Sequence, residues 1–208
     1  MSKTIWVFGD SYSSENKKSE VKNWPNILSE KFGCSLKNMS IDKTSNYQIF
    51  DDFCYCCDLI KSNDIVIIGW GLVENFRASV GSELINISKD DISFEGISKE
   101  YIDGTINDRQ SEKWCEQIYY YENIIDELSK SKGFRTFYWS SNEDRLIYPN
   151  RSSFKAKRSY LCRESETSLV NHFNNMGVGV IDDKFTDDGQ EIVANIFYNE
   201  ITKRINSL

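Results

Sequence analysis

A chain of 208 residues fits a single domain, and its 39% hydrophobic and 13% aromatic content supplies a sizeable core, which excludes a disordered chain. The net charge of −7 and the lack of any long basic run argue against nucleic acid and anionic membrane surfaces as partners. No apolar stretch reaches the length of a membrane span and no signal-peptide core precedes the first polar turn, so a cytoplasmic, reduced protein is expected, its six cysteines free.

The first apolar run, Ile5-Trp6-Val7-Phe8, reads as a buried strand, and it breaks off at Gly9-Asp10-Ser11. Such a break brings a hydroxyl to the carboxyl edge of a sheet, where open α/β folds bind their ligands. A serine there can attack a carbonyl if a base takes its proton, and its own N–H can help hold the oxyanion. A helix follows over 25–32, with Pro25 at its first position, Ile27, Leu28 and Phe32 as its stripe and Gly33 at its end. A second strand is predicted over 35–39. Thr44, Ser45 and Asn46 can cap a helix over 47–59, one of two readings of 43–46. In that helix Cys54 and Cys57 share a face with Phe50 and Phe53; one Cys-x-x-Cys without a second pair reads as core packing, so neither metal nor cofactor is expected.

The clearest buried strand is 65–70, ending in Gly69-Trp70-Gly71 and followed by Asn75 and Arg77. Residues 78–110 read as an insertion holding a hairpin and overhanging the site. A helix over 111–130 carries Trp114, Ile118, Tyr121, Ile125 and Leu128 at helical spacing, and a fourth strand over 134–139 delivers Ser140 to the serine's edge. Arg145, Arg151, Lys155, Lys157 and Arg158 make a basic loop, read either as recognition of an anion or as a solvated loop. A helix over 159–174 holds His172, the one histidine. A fifth strand over 177–181 leads through Asp182 into a last helix that buries Ile192, Val193, Ile196, Phe197 and Ile201. This alternation predicts an α/β fold: one domain over 1–208, a three-layer α/β/α sandwich on a five-stranded parallel sheet.

Gly9-Asp10-Ser11-Tyr12-Ser13, directly after a first strand, resembles the first sequence block of the SGNH/GDSL hydrolases, a superfamily of serine esterases and acylhydrolases. The resemblance implies a flavodoxin-like sheet with Ser11 as nucleophile. Residues 38–46 look like the second block, whose small-residue turn donates a backbone N–H to the oxyanion; Lys43 stands where the family usually has glycine. Asn75 is the residue nearest to the third block's asparagine donor. At the fifth block Asp182 and Gly189 match, but Lys184 or Phe185, depending on register, occupies the place of the histidine base. A lysine, with an ordinary pKa of about 10.4, serves as base only when that value is lowered. Beside Asp182 and Asp183 it is instead expected to stay charged.

The resemblance thus implies Ser11, Asp182, Lys184 and Asn75 as a divergent catalytic set acting on a small-molecule or glycan ester. Asp10, Lys43, Trp70, Arg77 and Ser140 are the expected substrate contacts. The alternative is a catalytically inactive module of the same fold that binds a carbohydrate, an acylated ligand or a protein.

Overall fold

The computed structural model describes residues 3–15, 22–71, 76–80, 83–87, 111–140, 161, 173, 175, 177, 179–181 and 184–207, by backbone alone at 76–80, 83–87, 111–116 and 181. In chain order these form β1 (Thr4–Phe8), α1 (Trp24–Phe32), β2 (Ser35–Asn38), α2 (Asn46–Cys56), β3 (Ile65–Trp70), β4 (Phe76–Val80), β5 (Glu83–Ile87), α3 (Ser111–Lys132), β6 (Arg135–Ser140), β7 (Val180–Ile181), β8 (Lys184–Phe185) and α4 (Asp187–Asn206).

The strands β2, β1, β3 and β6 lie side by side in that order as a parallel sheet. Successive side chains of a strand point to opposite faces. Ile5, Val7, Ile65, Ile67, Phe137 and Trp139 therefore meet α1 and α4 through Trp24, Leu28, Val193, Phe197 and Ile201. On the other face Trp6, Phe8, Val66, Ile68, Trp70 and Tyr138 meet Ile49 and Phe53 of α2 and Ile118, Tyr121 and Ile125 of α3. Helices on both faces explain why β3 is apolar and buried at every position rather than alternating.

The fifth strand expected over 177–181 does not join this sheet, which among the described residues has four strands. Val180 and Ile181 instead pair antiparallel with Phe185 and Lys184. Gly177 takes a left-handed φ of 80°, and Thr186 N–H bonds back to the Gly179 carbonyl at 2.9 Å. A local reversal thus occupies one edge of this segment.

Helix ends follow local chemistry. The Asn23 side chain accepts from Asn26 N–H at the start of α1, and Gly33 closes it in the left-handed region. Ser45 caps α2 by accepting from Gln48 N–H at 3.2 Å. On α2 the deepest cysteine is Cys56, in line with Ile49 and Phe53, while Cys54 and Cys57 are partly buried beside it. Burial pushes the Cys54 and Cys56 thiols above the ordinary thiol range, so they pack as small hydrophobes. The hairpin expected in the insertion begins earlier than the stretch assigned to it: β4 and β5 pair antiparallel from Phe76↔Ile87 to Val80↔Glu83. No helix of the described residues is long and apolar enough to cross a membrane.

At the amino edge of the sheet, the buried carboxylate of Asp64 accepts from Thr4 N–H at 2.9 Å, Trp6 Nε1–H at 3.1 Å and Lys61 N–H at 3.0 Å. Asp64→Ala strands these donors and is expected to lower stability by about 1–3 kcal/mol. A lower urea midpoint at unchanged slope checks this; an unmoved midpoint would show that water takes over all three bonds.

Candidate active site

The serine turn is built from beneath. A Cβ at Gly9 would stand 2.8 Å from Ser13 Oγ, so only glycine lets the chain fold back this tightly after β1. The Asp10 carbonyl accepts from Ser13 N–H and Ser14 N–H, both at 3.0 Å, and Asp10 Oδ1 accepts from Tyr12 N–H at 3.2 Å. Ser14 Oγ donates to the Ser11 carbonyl at 3.1 Å. Three further donors hold the next two carbonyls: Trp24 Nε1–H reaches Tyr12 at 3.0 Å, and the Asn38 and Asn23 amides reach Ser13 at 2.9 and 3.3 Å. Ser11 sits at the tip of this scaffold, itself only 4% exposed.

The second arm is the chain after β2. It keeps running beside β1, with Met39 N–H on the Val7 carbonyl at 2.8 Å and Ile41 N–H on the Gly9 carbonyl at 3.1 Å. Lys43 then adopts a φ of 55°, the left-handed region that favours glycine. Its N–H donates to Ser11 Oγ at 2.9 Å. The two readings of 43–46 turn out to be compatible, since Ser45 caps α2 while Lys43 bends toward the serine.

No family model matches the chain, and no curated protein matches it in sequence. Solved structures do match. The X-ray structure of the protein YXIM from Bacillus subtilis is similar at a TM-score of 0.58 and 13% identity, covering 98% of this chain and 57% of that one. The likeness is one of fold, a parallel sheet with helices on both faces. The chain spans 57% of the length of the Bacillus structure. A structure from Desulfitobacterium hafniense, described as a lipolytic protein of the G-D-S-L family, aligns at a TM-score of 0.48 and 10% identity over 95% of this chain and 98% of that one.

Within this fold the register of the sheet places Ser11, Lys43, Gly71 and Ser140 at one carboxyl edge, since Phe8 pairs with Ile68 and Trp70 with Ser140. Trp70 is fully buried on the face toward α3 and donates its indole N–H to Glu122 Oε1 at 2.9 Å, where it packs in the core. Asp10, 2% exposed, shapes the turn from below, and Ser140 is 7% exposed. Strand alternation separates the two registers at the fifth block. Phe185 points inward between Tyr12 and Phe173, with ring centroids at 5.3 and 5.5 Å. Lys184 points to the rim, its Nζ 3.8 Å from Oδ1 of Asp42, the residue beside Lys43. Arg77 lies in β4, described by backbone alone, and Asn75, Asp182, His172 and the basic stretch 145–158 lie outside the described residues. Among the described residues no cluster of His, Cys, Asp and Glu is arranged to hold a metal ion.

Two buried amides make contacts that the sequence does not show, Asn46 being read there only as a cap candidate. Gln190 of α4 accepts from Trp24 N–H at 2.8 Å and donates to the Phe185 carbonyl at 3.0 Å, tying α1 and β8 to the last helix. Asn46 pairs with Gly71. A polar amide at the first turn of an otherwise amphipathic helix is the only signal either offered.

Proposed function

We propose that this chain hydrolyses an ester or acyl bond of a small molecule or glycan with Ser11 as nucleophile. The observation that carries this reading is the Lys43 N–H aimed at Ser11 Oγ at 2.9 Å from a left-handed turn. A backbone N–H beside the nucleophile is within reach of the substrate oxygen that takes up charge when Oγ attacks the carbonyl. In this reading Ser11 Oγ adds to the carbonyl carbon, and the oxyanion is held by the N–H groups of Ser11 and Lys43 with Asn75 as a third donor. Asp182 is the acid member of the set. Lys184 stands near the histidine's place; a lysine takes a proton only when neutral, so in this reading the serine proton passes to water and limits the rate, the alcohol leaves as the carbonyl re-forms, and water then hydrolyses the acyl-Ser11 ester.

The residues at the fifth block favour a second reading. With Phe185 in the core and Lys184 facing Asp42, no imidazole comes from this strand, which is what a binding module of the same fold would show.

The test is covalent labelling by an alkyl fluorophosphonate together with turnover of p-nitrophenyl acetate. Stoichiometric labelling of Ser11 with slow turnover is expected, about 100- to 10,000-fold below an enzyme with its general base. Ser11→Ala removes both. An unlabelled wild type that turns over nothing, yet binds an acylated sugar, would replace the hydrolase by the binding module.

A further inference from the structure

Asn46 is the first residue of α2, directly after the cap Ser45, yet its side chain does no capping. It turns instead to the end of β3 and makes both of its amide bonds to one residue. Gly71 N–H donates to Asn46 Oδ1 at 2.8 Å, and Asn46 Nδ2–H donates to the Gly71 carbonyl at 3.2 Å. The amide, 1% exposed, pairs with the backbone as a neighbouring strand would. Gly71 is in turn closed against the serine turn, since a Cβ there would stand 2.7 Å from Asp10 Oδ2.

These contacts bracket the oxyanion turn. Before it, Ile41 N–H is fixed to the Gly9 carbonyl; after it, Asn46 is fixed to Gly71. Between them stands Lys43, a non-glycine residue at φ 55°. A side chain in that region persists only where its surroundings over-determine it. Resting on the hydrolase reading above, we infer that Asn46 is the positioning residue of the oxyanion donor: it fastens the start of α2 to β3 and so holds Lys43 N–H on Ser11. Because Gly71 N–H is occupied by Asn46, it is not itself a donor to substrate. Aspartate cannot replace Asn46, for a carboxylate has no N–H to give the Gly71 carbonyl and repels it.

Asn46→Asp and Asn46→Ala in the full chain test this with two readouts. The first, independent of activity, is amide hydrogen exchange: residues 41–45 exchange faster in both variants while β6 and α4 keep their protection. The second is p-nitrophenyl acetate turnover and fluorophosphonate labelling. We expect kcat and the labelling rate to fall about 10- to 100-fold with KM within about twofold, the pattern of a donor displaced from its working geometry. Unchanged exchange at 41–45 overturns the inference, and so does loss of protection spread over the whole sheet, which marks a merely structural residue. A matched fall in kcat and rise in KM overturns it as well. If wild-type Ser11 takes no label, the hydrolase reading fails, and the exchange readout still decides whether Asn46 holds the turn.

Discussion

Lys184→His is expected to raise p-nitrophenyl acetate turnover by about 100-fold, the lower end of what a positioned general base contributes. Ser11 already sits on its hydrogen-bonded turn with the Lys43 N–H 2.9 Å from its Oγ. On the hydrolase reading the variant adds a group that is neutral at pH 7 and accepts a proton, since imidazole has an ordinary pKa of about 6.5. The sign of the pH dependence follows. Only neutral imidazole works as base, so the gained activity appears as pH rises through the histidine's pKa. Asp42, whose carboxylate lies 3.8 Å from the present lysine nitrogen, favours the charged imidazolium and moves that rise above 6.5. A pH–rate profile from 5 to 9 checks this. No gain, with Ser11 still labelled, would show that the base position lies elsewhere in the fold. Phe185→His serves as the contrast. That ring is 4% exposed and packed on Tyr12 and Phe173, so the variant loses stability and gains no turnover.

Trp24→Ala is expected to cost about 3–5 kcal/mol, the range for removing a large aromatic from a packed interior. Trp24 has no exposed surface and meets Phe197 and Trp139 edge-on at 5.0 and 6.2 Å. Its indole N–H also holds the Tyr12 carbonyl at 3.0 Å, so the same side chain joins the α1/α4 core to the serine turn. Trp24→Phe divides the two roles. It keeps most of the buried area and loses the one hydrogen bond, with a cost nearer 1 kcal/mol, while labelling of Ser11 slows. Chemical unfolding reads the stability and fluorophosphonate the turn. If Trp24→Phe labels at the wild-type rate, the indole bond does not hold the turn.

Much of this molecule is written locally. The continuous apolar run of β3, the Pro25 and Gly33 that bound α1, and the stripe Ile118, Tyr121, Ile125 of α3 each report their own surroundings, because a strand covered on both faces and a capped amphipathic helix need only neighbouring residues to declare them. The serine turn was equally legible, since Gly9 is required within four residues of the Ser13 side chain it must clear. Other features depend on partners far along the chain. Whether 180–181 joins the parallel sheet or folds back on 184–185 depends on which backbone groups are free, and Thr186 and Gly179 decide that by bonding to each other. The face of the sheet to which Trp70 points became the core rather than the cleft because α3 brings Glu122 to its indole, 52 residues away. Sequence likeness put Lys43 in the turn after β2, but its left-handed backbone and its N–H on Ser11 Oγ come from the tertiary structure, where neighbouring contacts reach Gly9 and Gly71. Asn46 and Gly71, 25 residues apart, meet only when α2 is laid across the end of β3, where each buried polar group is satisfied by the other.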